Sequence, residues 1–131
     1  MFIHIVPIRS RTITISVNQK TAETFDAILN IPGKIMPDAK KHDDGWWSFT
    51  TQSGPAKLKF RENKQLGILD HQFVDNEATW EVPMRVVNHG KDSAVIITLI
   101  KPSSVSDETF NERMKELESV MQAMKKIIEA K

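Results

Sequence analysis

Six apolar residues near the end of the chain, Phe110, Met114, Leu117, Met121, Met124 and Ile128, recur at spacings of four, three, four, three and four. That is the repeat of one face of an α-helix, and it predicts a helix over 107–129 with an unbroken apolar stripe. Ser106 or Asp107 stands where a cap belongs, and Asp107 and Glu108 suit the positive end of the helix dipole. Such a helix is about 35 Å long at 1.5 Å per residue. A greasy face of that length needs a broad apolar partner elsewhere in the chain.

The middle of the chain supplies one. From Trp46 onward the hydropathy repeats every second residue, which predicts strands at 46–51, 56–62, 67–74, 78–88 and 93–101. Turn-forming residues separate them: Gln52-Ser53-Gly54-Pro55, Asn63-Lys64-Gln65, Asp75-Asn76-Glu77 and Asn88-His89-Gly90-Lys91. Connections this short require antiparallel pairing, so the five strands form a meander. Ahead of them, 12–17 alternates strictly, with Ile13, Ile15 and Val17 on one face, and residues 2–8 extend it with Pro7 at an edge or bend. A short helix follows from an N-cap at Thr21 to Asn30, with Phe25, Ile28 and Leu29 inward. Pro32 and Gly33 break it, a further helical turn covers 34–36, and 38–44 reads as a charged loop.

Register follows from keeping apolar residues on one face. Pairing Thr51 with Ala56 sets Phe49 beside Leu58 and Trp47 beside Phe60. Pairing Glu62 with Gly67 sets Phe60 beside Leu69 and Leu58 beside His71. Pairing Asn88 with Ser93 sets Val86, Met84 and Val82 beside Val95, Ile97 and Leu99. The hairpin between Phe73 and Trp80 has no register legible from the pattern. The inward face is then Trp47, Phe49, Leu58, Phe60, Leu69, His71, Phe73, Trp80, Val82, Met84, Val86, Val95, Ile97 and Leu99. Trp46 faces outward and packs under the 31–45 segment.

Composition removes several function classes. The 131 residues suit one domain over 1–131, and 40% apolar content suffices for a core without disulfides or metal. A net charge of +1 lacks the excess of a dedicated nucleic-acid binder. The absence of cysteine excludes a thiol nucleophile and a cysteine zinc site. The apolar stretch from Phe2 to Ile8 is short, holds His4 and Pro7, and has no cationic segment before it, so it does not read as a signal peptide. No window approaches the roughly 20 apolar residues of a membrane helix. A cytoplasmic protein without stable membrane insertion is the expectation.

The order of elements resembles the α+β helix-grip fold of the SRPBCC, or START-like, superfamily, and its small polyketide-cyclase-like members in particular. The likeness is carried by Gly67-Ile68-Leu69-Asp70-His71, by Trp80 with Pro83 and Arg85-Val86-Val87, by Asn88-His89-Gly90 and by Ser106 to Phe110, and it spans nearly the whole chain. The resemblance implies an antiparallel sheet curved around the long C-terminal helix, two short helices after the first strand, and a cavity for a hydrophobic ligand such as a lipid or polyketide. It equally implies cyclases and activators of a heat-shock ATPase as alternatives. The absence of tyrosine removes one frequent donor from a cyclase-type pocket.

On this reading the pocket walls are Phe49, Phe60, Leu69, Phe73, Trp80, Met84, Ile97, Leu117, Met121 and Met124, with His71 as polar anchor. His71 is the one ionisable group in the inward set, able to bind a ligand oxygen or act as general base. Asp70 points to the opposite face, so the two cannot form a catalytic pair. Glu81 and Arg85 lie outside and pair with Asp70 or Gln72 across the sheet. His42-Asp43-Asp44 lacks a second histidine at ligand spacing, and His4 and His89 have no metal-binding context either. Lys57, Lys59 and Arg61 form a basic strip that keeps the outer face soluble. No motif calls for a cofactor. Homodimerisation would use the edge strand 46–51 or Trp46.

Overall fold

Pro83 divides what the pattern presents as one strand. The computed structural model describes residues 9–130. The elements run β1 (Ser10–Val17), α1 (Thr21–Leu29), α2 (Ile31–Ile35), β2 (Lys40–Lys41), β3 (Trp47–Thr51), β4 (Gly54–Phe60), β5 (His71–Val74), β6 (Thr79–Val82), β7 (Met84–His89), β8 (Asp92–Ile100) and α3 (Asp107–Glu129). β6 pairs with β5 in a five-stranded antiparallel sheet ordered β2-β3-β4-β5-β6. β7 pairs with β8 in a three-stranded sheet ordered β1-β8-β7. Proline has no amide to give the ladder, so regular pairing stops at Pro83. Backbone bonds from Leu69 to Met84 and from Val86 to Gly67, each 2.9 Å, carry the two sheets past that break as one curved surface.

The inward set is as expected: every member is buried or half-buried. The Asn88–Ser93 register holds as far as Met84, with Val86 opposite Val95 and Met84 opposite Ile97, but beyond Pro83 the expected Val82–Leu99 pair gives way to Val82 opposite His71. Two other registers are corrected by two residues. Thr51 pairs with Gly54, so Phe49 faces Ala56 and Trp47 faces Leu58. Phe60 pairs with His71 and Leu58 with Phe73, and the hairpin closes at Asn63 and Ile68. A shift of two keeps every side chain on its own face, so hydropathy cannot detect it; turn geometry decides. Gly54 at φ +110° permits a two-residue connection. Gly67 sits at φ +68°, and a Cβ there would lie 2.3 Å from the Val86 carbonyl oxygen, so only glycine fits. The unregistered hairpin pairs Phe73 with Trp80.

Local corrections cluster between β1 and β3. Lys20, not Thr21, occupies the N-cap of α1. Pro32 and Gly33 lie inside α2 rather than ending α1, because proline near a helix start sacrifices no hydrogen bond; the break falls at Asn30. The 38–44 segment contains β2, which pairs Lys40 with Ser48 and Lys41 with Trp47 and so covers part of the supposed edge strand 46–51. Trp47, not Trp46, packs beneath α2, where a Cβ on Gly33 would meet its ring at 3.3 Å. Trp46 is half-buried under Lys57 and Lys59, whose ammonium groups lie 4.5 and 6.0 Å from its ring centre. The expected extension over residues 2–8 falls outside the described residues.

α3 spans the expected residues and is capped by Ser106, whose Oγ accepts from the Thr109 amide at 3.1 Å. Phe110, Met114, Met121, Met124 and Ile128 are buried, as the stripe requires. Its ends pack closely, Phe110 and Met114 at one and Ile128 at the other, with both α1 and the β1-β8-β7 sheet contributing to the same core. Trp47, Phe49 and Ala56 form a second cluster with Met36 and Ala39. Between the two clusters the packing is incomplete.

Candidate functional site

The gap is a cavity of about 600 Å³ between the curved surface of the two sheets and the middle of α3. Phe49, Leu58, Phe60, Phe73, Trp80, Val82, Met84, Ile97 and Leu99 form the sheet wall. Leu117, Val120, Met121 and Met124 form the helix wall, and Ile28, Ile31, Pro32 and Met36 close one end. The exposed Thr50, Lys115 and Ser119 mark where it meets solvent. Two aromatic contacts stiffen the sheet wall: the Phe49 and Phe73 rings stack at 6.2 Å, and Phe60 and His71 meet edge-on at 5.2 Å.

Ten of the eleven pocket residues expected from the sequence line this cavity. Leu69 does not: it is fully buried in the core where the two sheets join. Its side chain points inward as the alternation requires, but depth within the core depends on sheet curvature. The contributions of α1 and α2 and of Arg113, Glu116, Ser119 and Val120 were not anticipated. Arg113, Glu116 and Ser119 are polar and carry no hydropathy signal, Val120 falls outside the spacing of the stripe, and a helix as short as α2 gives little periodicity.

His71 is 7% exposed, and its Nδ1 lies 2.9 Å from the Leu69 carbonyl oxygen. A carbonyl oxygen only accepts, so Nδ1 donates. Burial pushes the imidazole below its ordinary range, against the opposing effects of the Leu69 hydrogen bond and of Asp70. The ring is therefore neutral, and Nε2 is bare. Asp70 lies on the other face, as parity requires, where it pairs with Arg85 and accepts from the Met84 amide at 2.9 Å. Glu81 accepts from Gln72 at 2.7 Å and from Arg61 at 2.9 Å, in accord with the expected cross-strand pairing.

A second polar group stands at the cavity margin. Asp75, its side chain 1% exposed, receives Arg113 Nε on Oδ2 at 2.9 Å. Its Oδ1 accepts from Trp80 Nε1 at 3.1 Å and from the amides of Glu77 and Ala78 at 2.9 and 3.0 Å. Burial pushes this carboxyl up, but the four hydrogen bonds prevail and hold it below the ordinary carboxylate value. Arg113 also lies 3.6 Å from Glu116, so its charge is answered from two sides. This cluster ties the β5–β6 turn and Trp80 to α3, and with its groups satisfied by one another it is a structural brace rather than a reactive pair. Among the described residues no group of three or more histidines or acids could hold a metal ion. None of their helices is long and apolar enough to cross a membrane.

A curved antiparallel sheet gripping a long C-terminal helix, with two short helices after β1, defines the helix-grip fold. Solved structures share it. Ara h 8.0201 superposes with a TM-score of 0.70 at 9% identity, covering 95% of this chain and 100% of that one. CalU16 from Micromonospora echinospora gives 0.69 at 17% identity, covering 92% and 74%. The Aha1 dimer from Colwellia psychrerythraea gives 0.72 at 12% identity, covering 92% and 96%. At these identities the likeness is one of fold. No protein-family model and no curated protein matches the chain by sequence.

Proposed function

We propose that this chain binds and sequesters a small hydrophobic ligand, lipid- or polyketide-like, in the cavity between the sheet and α3. The observation that carries this reading is the largely apolar cavity of about 600 Å³ beneath a helix whose ends are well packed. That volume suits a drug-sized molecule, and a mostly apolar lining with few polar groups is the usual form of such a site. Phe49, Phe60, Phe73, Trp80, Met84, Ile97, Leu117, Met121 and Met124 supply apolar contact, and His71 the polar anchor. Affinity rests on desolvation of apolar surface, about 25 cal/mol per Å² before the costs of association.

A cyclase or dehydratase would need a second polar group converging on His71. Among the described residues its hydrogen bond goes to the Leu69 carbonyl, and Asp70 faces away. An interaction module would need a filled core and a broad exposed apolar patch; the large exposed hydrophobics among the described residues are Leu66 and Val87. Binding is therefore the better-supported reading. Native mass spectrometry of protein from its own cells tests it. A co-purified apolar molecule near stoichiometry supports a carrier or sensor. An empty protein that also refuses fluorescent lipid probes overturns the reading. Gel filtration of the same material reports whether the chain self-associates.

A further inference from the structure

Among the buried residues that line the cavity, His71 is the one whose side chain carries a nitrogen or oxygen acceptor. His71 Nδ1 is committed to the Leu69 carbonyl, which fixes the proton on that nitrogen. Nε2 makes no hydrogen bond to any described residue. Yet no fully enclosed side-chain nitrogen or oxygen among them lacks a partner. Nε2 is therefore reachable, and the space that His71 borders is the cavity. The Phe60 ring stands edge-on at 5.2 Å and cannot donate a conventional hydrogen bond to it.

The Leu69 carbonyl is free for this role because the Met84 amide turns away from it. Leu69 and Met84 lie opposite each other, and the Leu69 amide donates to the Met84 carbonyl at 2.9 Å. In a regular ladder the Met84 amide would return the bond to Leu69. Here it donates to Asp70 Oδ1 instead, at 2.9 Å. The interruption of the ladder thus provides the acceptor that sets the tautomer.

We propose that the cavity selects apolar molecules carrying a hydroxyl donor, a phenol or an alcohol, which donates to Nε2 of His71. This rests on the ligand-binding reading above and narrows it to a chemical class. An ether, ester or ketone brings only a second acceptor towards Nε2, and a hydrocarbon leaves Nε2 without the partner that water can supply in an empty cavity. A carboxylate meets the imidazole lone pair with a negative charge. Sites built around a buried polar group discriminate strongly against analogues that leave it unpaired.

The test titrates the wild-type protein with three probes of one skeleton, 4-hydroxystilbene, 4-methoxystilbene and stilbene, followed by their fluorescence. The phenol is expected to bind about tenfold tighter than the other two, the worth of one hydrogen bond. The three affinities converge in His71→Phe. Equal affinities in the wild type, or a phenol preference that survives in His71→Phe, overturn the selectivity while leaving the cavity reading intact. Failure of all three to bind overturns both. Nitrogen-15 spectra of histidine-labelled wild type keep the proposal testable should the variant not fold. Nδ1 is expected to carry the proton, and the Nε2 resonance to move with the phenol and not with the ether. A proton on Nε2, or a resonance indifferent to the phenol, overturns it.

Discussion

The Leu69 carbonyl oxygen accepts a hydrogen bond from Nδ1 of His71, two residues along the chain, at 2.9 Å. Neighbours at that spacing share a face of a strand, but one is fully buried and the other borders the cavity. The bond joins the core to the site and orients the imidazole, while burial keeps the ring neutral.

Stability depends on His71 through pH. Burial lowers its affinity for a proton in the folded state, with Asp70 and Glu81 opposing and Arg61 assisting. The unfolded chain takes up that proton near pH 6.5. The contribution to stability is therefore complete above about 6.5 and is lost as pH falls below it, towards the lower folded-state value. Urea denaturation at intervals from pH 8 to 5 should show this decline, and His71→Phe should flatten it.

Asp75 acts in a lower window. Its folded-state value is depressed, so its contribution is present above the ordinary value near 3.9 and is lost as pH falls through the folded value. Asp75→Asn should cost about 3 kcal/mol at pH 7, because it leaves a largely buried Arg113 with Glu116 as its remaining carboxylate. The double variant Asp75→Asn with Arg113→Met should recover part of the loss. Thermal denaturation of the three variants checks both statements.

Gly67→Ala should destabilise by about 2 kcal/mol or more. The backbone there has positive φ, and the new methyl would run into the Val86 carbonyl. Gly90→Ala is the comparison: it has positive φ but nothing within 4 Å, so it pays only for backbone strain. A difference in denaturation midpoint between the two isolates the steric part.

Filling the cavity should separate binding from folding. Leu117 is half-buried, lines the cavity and sits mid-helix, where a larger side chain can enter existing space. Leu117→Trp should weaken the uptake of an apolar fluorescent probe at least tenfold while leaving the melting temperature unchanged or raised. A variant that melts normally and still binds would place the probe elsewhere.

The stripe from Phe110 to Ile128 and the alternation from Trp46 onward settle the architecture by themselves. Each obliges its element to bury one face, and each is the other's partner. Side-chain parity was equally legible: His71 inward, Asp70, Glu81 and Arg85 outward. Residues 34–41 were not, because α2 and β2 are too short to show a period. Their position follows from Trp47, which needs a cover that α3 does not reach.

Alternation along the strands and the helical repeat determined which residues share a face, because those periods are intrinsic to the backbone. Tertiary structure alone decided three things. Two hairpins closed two residues away from the expected register, since a shift of two leaves hydropathy unchanged and glycine geometry chooses between the alternatives. Leu69 went to the core and His71 to the cavity, since the curvature around Pro83 separates residues that parity treats alike. The cavity itself exists because α3 packs closely at its ends and not at its middle, a spacing set by the combined volume of side chains from nine elements rather than by any one segment of sequence.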